Sequence, residues 1–172
     1  MRALTVLALP LLLAACGGGA TYGEGDVQGT IGPFSFGDEL TAYHGTSFIV
    51  LVDRKMDCLD MSWVTRNYFG SNEATSDQEF LAVQFSFAVD ESPSPGTYIQ
   101  DAESEAPIDA WRLFNSDVPS GSSKAIDAET GEEYRLTVDS ASEDAVIGSF
   151  EATFVDGTAA GTFETVHCRN VR

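Results

Sequence analysis

The feature that most constrains the fold of this chain is a period-2 pattern of apolar residues between positions 79 and 89. The apolar positions are Leu81, Val83, Phe85, Phe87 and Val89. Successive side chains of a β-strand point to opposite faces of a sheet, so this pattern predicts a strand that is buried on one side. Residues 47–52 form a continuous apolar run instead, which is typical of a central strand covered on both faces.

A second alternating segment covers residues 146–154 and predicts a strand whose inward side chains are Phe150, Ala152 and Phe154. Asp156-Gly157 follows it and is a dipeptide typical of tight hairpin turns. Residues 158–168 are therefore predicted to return as the partner strand, with Phe163 facing inward.

Strand signals continue along the rest of the chain, separated by short segments rich in Gly, Pro and Asp. We count about nine or ten strands, which predicts an all-β fold: a single antiparallel β-sandwich or barrel formed by residues 25–172. The chain has 172 residues, of which 43% are hydrophobic and 21% charged. This balance is typical of a globular domain rather than a disordered segment.

The N-terminus carries a targeting signal. Arg2 is followed at positions 3–15 by an uncharged and mostly apolar stretch. The stretch is too short to span the hydrocarbon core of a bilayer, which takes about 20 residues. Its length and its basic flank are those of a secretory signal peptide, so we expect residues 1–15 to be cleaved.

The stretch ends with Leu13-Ala14-Ala15-Cys16, followed by Gly17. This motif resembles the lipobox of bacterial lipoproteins, in which a Leu and two small residues precede an invariant Cys. The alternative is an ordinary secretory signal in which the cysteine occurs by chance.

The lipobox resemblance implies cleavage before Cys16 and attachment of lipid to that cysteine, which makes membrane lipid the expected partner. Several acyl chains anchor a protein stably where one chain does not. Residues 16–24 would then form the lipidated cysteine and a flexible Gly-rich tether. Because Gly17 stands where an Asp would resemble the inner-membrane retention signal, the expected location is the cell envelope, on the outer membrane.

Lipidation of Cys16 leaves two cysteines, Cys58 and Cys168. Exported proteins lie in an oxidising environment, so we predict a disulfide between them. Two buried free thiols are one alternative. A zinc site is another, since a zinc ion takes about four ligands and His44 and His167 would complete the set, although their spacing matches no zinc motif.

The end of the chain carries a second resemblance, to uncharacterised predicted lipoproteins of the myxobacterial type. The residues that carry it are Gly148-Ser149-Phe150, Thr153-Phe154, Asp156-Gly157, Gly161-Thr162-Phe163 and Cys168. The resemblance implies an envelope location and a β fold. It implies no catalytic activity.

The charge of the chain is strongly negative, with 27 acidic and 9 basic residues and a formal net charge of −18. Such a surface repels nucleic acid and anionic lipid head groups, so no nucleic-acid partner is expected. The acidic residues occur in short clusters and are expected to solvate the surface.

The sequence contains few candidates for chemistry. It has no Gly-x-Ser-x-Gly motif, and His44 and His167 are the only imidazoles. Asp109 beside Trp111 is a candidate for glycan chemistry, because aromatic rings form sugar platforms. Residues 127–131 resemble the start of a calcium loop but fail the EF-hand pattern. We therefore predict no catalytic residue, no metal and no cofactor.

Three hypotheses for function follow from these observations. The first is a lipid-anchored envelope domain with a non-enzymatic structural or interaction role. The second is a closed β-barrel that holds a small apolar ligand in its interior. The third is an enzyme that acts on glycans. A filled core favours the first hypothesis, an internal apolar cavity the second, and a cleft with converging carboxylates the third.

Overall fold

The structure is a computed structural model of the chain, and it describes residues 22–37, 40–58, 75–76, 78–88, 90–101, 108–116, 118, 120–122 and 124–168. The predicted signal peptide (residues 1–15), Cys16 and the rest of the predicted tether up to position 21 lie outside this part.

The described residues form an all-β fold. The strands are β1 (Glu24–Ile31), β2 (Phe34–Ser35), β3 (Thr41–His44), β4 (Phe48–Val52), β5 (Thr75–Ser76), β6 (Phe80–Ser86), β7 (Gly96–Gln100), β8 (Asp109–Asn115), β9 (Lys124–Ala125), β10 (Asp127–Thr130), β11 (Glu133–Ala141), β12 (Val146–Phe154), β13 (Gly157–Glu164) and β14 (Val166–His167). Ten of these have four residues or more, in line with the strand number predicted from the sequence.

The strands form two six-stranded sheets. Sheet 1 has the order β2-β1-β13-β12-β11-β7, and sheet 2 has the order β10-β8-β6-β4-β3-β14. Neighbouring strands are antiparallel except for β14, which pairs with β3 in parallel. The short strands β5 and β9 form a separate pair.

The two sheets pack as a sandwich and do not close into one barrel, which decides between the two architectures expected from the sequence. The β12–β13 hairpin of sheet 1 runs across sheet 2. At its turn, Asp156 contacts Arg112 of β8, and beyond its other end Thr165 contacts His44 of β3. The strands of the two sheets therefore cross, as they do in sandwiches with corners where the chain passes from one sheet to the other.

Sheet 1 has one buried face and one exposed face. Phe150, Ala152, Phe154 and Phe163 are buried, as predicted. The hairpin turn consists of Val155 and Asp156, one residue earlier than predicted, because Phe154 pairs with Gly157. A Cβ at Gly157 would lie 2.0 Å from the Thr30 carbonyl oxygen, so the glycine permits close approach of β1 instead of forming the turn.

Sheet 2 is buried on both faces. All five residues of β4 are buried, which confirms the prediction of a central strand for this segment. The prediction of a strand buried on one side only over residues 79–89 was wrong for β6, while Val89 lies outside the described residues. Phe80 and Ala82 belong to a second apolar cluster on the outer face of sheet 2, and Gln84 on that face is also buried. Residues on both sides of β6 therefore contribute to cores.

Candidate functional site

The predicted disulfide is present between Cys58 and Cys168, with the two Cα atoms 5.5 Å apart. It links the segment that follows β4 to the residue that follows β14. Cys168 is fully buried, and its backbone N–H donates a hydrogen bond to the His44 carbonyl oxygen at 2.8 Å. The cross-link therefore fixes the C-terminal end of the described chain to the edge of sheet 2.

The two histidines of the chain lie side by side beside this cross-link. His44 of β3 and His167 of β14 are direct partners in the parallel strand pair. Their rings are stacked, with centroids 5.0 Å apart and planes inclined by 17°. No group of three or more His, Cys, Asp or Glu residues in the described segments has a geometry for holding a metal ion. Because the disulfide uses both Cys58 and Cys168, these cysteines are not available as zinc ligands.

Thr165 connects this histidine pair to sheet 1. Its hydroxyl lies 2.7 Å from Nδ1 of His44 and accepts a hydrogen bond from the Val146 N–H at 2.9 Å. The Thr165 N–H donates to the Val146 carbonyl oxygen at 2.9 Å. We name His44, Thr165 and His167 the histidine corner, because the chain passes there from sheet 1 into sheet 2.

The pKa of His44 is lowered from 6.5 to about 4, mainly by burial and also by the neighbouring His167. The Glu143 carbonyl oxygen and the Asp144 carboxylate act in the opposite direction and do not compensate. His44 is only 4% exposed, so its charged form loses nearly all of its hydration. The imidazole is therefore neutral at pH 7. Nδ1 forms a hydrogen bond with the Thr165 hydroxyl in which the tautomer of the ring sets the donor, and the hydroxyl can also donate to the Val146 carbonyl oxygen at 3.2 Å.

A second polar cluster lies at the turn end of the β12–β13 hairpin. The Arg112 guanidinium donates to the carboxylates of Glu129 and Asp156 and stacks over the Phe114 ring, 4.6 Å from its centroid. The arginine side chain is 9% exposed, while the side chains of Glu129 and Asp156 are 29% and 41% exposed. This ion pair links β8 and β10 of sheet 2 to the turn of sheet 1. We name Arg112, Glu129 and Asp156 the arginine clip.

Asp109 and Trp111, the candidate pair for glycan chemistry, lie on the same side of β8. Asp109 is exposed, whereas Trp111 is half-buried and packs against the apolar cluster on the outer face of sheet 2. Much of the indole surface is thus covered by neighbouring side chains, so the ring is not a free platform for a sugar.

The segment that resembles a calcium loop is a strand. Residues Asp127–Thr130 form β10, which pairs with β8, and Glu129 is engaged by Arg112. Gly131 follows, and its N–H donates to the Ala110 carbonyl oxygen at 2.8 Å. This backbone is extended and does not curl around an ion.

Two grooves lie on sheet 1. One of about 410 Å³ is lined by residues that include Glu24, Ile147 and Glu164. The other, of about 200 Å³, is lined by residues that include Ile99 and Arg135. Both are open at the surface and neither lies between the sheets. The surrounding face of sheet 1 carries the exposed acidic side chains of Glu24, Asp26, Glu133, Asp139, Glu151 and Glu164.

Sequence reasoning brought the two histidines together only in the zinc alternative, and it did not identify Arg112. The histidines meet through a two-residue parallel strand, and a strand of that length has no periodic signal. Arg112 did have a signal that was missed. It occupies an inward position between Ala110 and Phe114 of an alternating strand, where a charged residue needs buried partners.

Comparison of the chain with models of protein families, with curated proteins and with solved structures finds no match. Among the described residues there is also no helix with the length and hydropathy that a membrane span requires.

Proposed function

We propose that this protein is a lipoprotein of the cell envelope, anchored on the outer membrane through lipid on Cys16. Its β domain acts as a non-enzymatic structural or interaction module held close to that membrane. The lipobox-like sequence before Cys16 is the basis for the anchor, and the architecture of the domain is consistent with it.

The start of the folded domain is the observation that carries this proposal. Tyr22 is exposed, Gly23 pairs with Ala42, and β1 begins at Glu24. Five residues lie between Cys16 and Tyr22, and an extended chain over these six steps spans at most about 20 Å. The described fold thus begins after Cys16 at an exposed residue, which is where an anchor on that cysteine needs it to begin.

The packed interior supports a module that binds through its surface. Phe85 contacts Phe150 edge to face with ring centroids 5.6 Å apart, and it contacts Tyr134 in the same way at 5.9 Å. Phe87 packs on Tyr98 at 5.3 Å. These aromatic rings fill the space between the sheets that a carrier of an apolar ligand would need to leave open. The exposed face of sheet 1 remains available to a partner.

Acyl labelling tests the anchor. The chain is expressed with its leader in a bacterial host that processes lipoproteins, in the presence of a palmitate analogue. We expect label on the wild type and on the control Gly18→Ser, which keeps Leu13 to Cys16 intact, and no label on Cys16→Ser. The wild type should also partition with membranes. Labelling of Cys16→Ser at the wild-type level would refute the proposal.

A further inference from the structure

The histidine corner has a feature that packing alone does not require. Two imidazoles are stacked at the edge of sheet 2, where an apolar pair would fill the same space without polar atoms to satisfy. Nδ1 of His167 is buried without a hydrogen-bond partner among the described residues. A buried polar atom of this kind lowers the stability of the place where it lies.

We propose that the histidine corner is a proton-operated latch, in which neutral His44 holds strand β14 against β3 and proton uptake by His44 releases that strand. The release is local. The Cys58–Cys168 disulfide keeps the end of the strand attached, and the rest of the sandwich stays folded.

β14 is held by its pairing with β3, by packing of Val166 on the apolar cluster at the outer face of sheet 2, and by two further backbone hydrogen bonds. It has two residues and pairs with β3 alone. The His167 N–H donates to the Asp144 carbonyl oxygen at 3.2 Å, and the Cys168 N–H donates to the His44 carbonyl oxygen at 2.8 Å. The first bond ends on the turn between β11 and β12 and the second ends on β3, so a movement of β14 away from these two elements breaks both.

The charged surroundings of His44 are limited. His167 faces it from β14, and Asp144 faces it from the turn between β11 and β12, together with the Glu143 backbone carbonyl. On β4 its cross-strand partner is Ile49, which carries no charge. Asp144 is exposed and solvated, so this single carboxylate does not replace the water that a buried imidazolium would lose.

The direction of the pH effect follows from the pKa of His44, which is about 4 when β14 is closed and 6.5 when the imidazole meets water. Above pH 6.5 both forms are neutral and the latch is closed. Between pH 6.5 and about pH 4, His44 binds a proton in the open form and not in the closed form, so acid favours opening. Between pH 7 and pH 5 the opening equilibrium should increase on the order of 20-fold.

Amide hydrogen exchange of the full chain, resolved by NMR between pH 7 and pH 5, tests this proposal. The Cys168 amide reports on the corner, and the Gly131 amide serves as reference because it donates to Ala110 in the core, next to Phe154 at the opposite end of the β12–β13 hairpin. After correction for chemical exchange, protection of Cys168 relative to Gly131 should fall about 20-fold. An equal change at both amides would mean global unfolding and would overturn the latch.

The variant His44→Asn separates protonation from packing. Asparagine keeps an oxygen near the position of Nδ1 that can accept from the Thr165 hydroxyl, and it does not titrate. We expect its relative protection to be independent of pH. If this variant does not fold, the imidazole resonances of the wild type decide the question. A His44 resonance that titrates at or above pH 6.5 would contradict the proposal.

Discussion

Replacement of Tyr134 by Phe removes one oxygen atom from the centre of the sandwich. The Tyr134 hydroxyl donates to the Ile108 carbonyl oxygen at 2.5 Å and accepts from the Ile108 N–H at 3.2 Å. Tyr134 and Ile108 are 3% and 4% exposed, so water does not replace the hydroxyl. Burial also raises the pKa of Tyr134, and the hydroxyl therefore remains a donor over the whole range in which the protein is folded.

The expected cost of Tyr134→Phe follows from these contacts. The substitution leaves one buried donor and one buried acceptor unpaired, each of which costs about 1–3 kcal/mol when water is excluded. Because the two groups belong to one backbone unit that can shift slightly, we expect a loss of about 2 kcal/mol in the free energy of unfolding. For a domain of this size that loss lowers Tm by roughly 4–8 °C.

Tyr98→Phe is the matched control. The Tyr98 hydroxyl also makes two hydrogen bonds, both to Ser94, at 2.9 and 3.0 Å. These bonds are exposed, so solvent replaces them, and we expect a loss below about 0.5 kcal/mol. Urea unfolding of both variants at pH 7.5, followed by tryptophan fluorescence, measures the difference. Equal midpoints for Tyr134→Phe and Tyr98→Phe would refute the reasoning that burial of the hydroxyl determines its contribution.

Two further predictions concern the cross-links between distant parts of the chain. Replacing both Cys58 and Cys168 by Ala removes a disulfide that spans a sequence separation of 110 residues. The chain-entropy model then gives a loss of roughly 4–5 kcal/mol in the free energy of unfolding. The shift of the urea midpoint relative to the oxidised wild type measures this loss, and an unchanged midpoint would contradict the model. Arg112→Met should lower the free energy of unfolding by about 2 kcal/mol. This is less than the loss expected for a fully buried ion pair, because the carboxylates of Glu129 and Asp156 can regain water. Part of that loss should disappear in 1 M salt, and a loss independent of salt would assign it to packing on Phe114.

The parts of the fold that the sequence predicted are those determined by local pattern. In β12, Phe150 and Phe154 alternate with polar residues that are exposed or half-buried, so periodicity alone predicted the buried face. In β6 the same reasoning failed, because Gln84 is polar but buried. Periodicity identifies which side chains share a face, but whether that face meets water depends on what another part of the chain places over it.

The disulfide was predictable for a different reason. Once Cys16 is assigned to lipid, the count of cysteines leaves one pair, and the exported location favours its oxidation. The histidine corner and the arginine clip could not be predicted from residue counts or from local patterns. Thr165 and His44 are 121 positions apart in sequence, and Arg112 and Asp156 are 44 apart. Their contacts exist because the sheets cross, and the crossing is a property of the assembled sandwich.

The two clusters hold the same hairpin by different chemistry, and this difference has a consequence for an anchored domain. The arginine clip is held by attraction between a guanidinium and two carboxylates. The histidine corner depends on a neutral imidazole, and acid opposes it. Gly23 pairs with Ala42, and Glu24 lies opposite Glu164, so the described fold begins beside the corner. If the proposed anchor and latch are both correct, the end of the hairpin that responds to pH lies next to the tether. The exposed face of sheet 1 and the pairing of Gly23 with Ala42 then stay in place while strand β14 opens beside them.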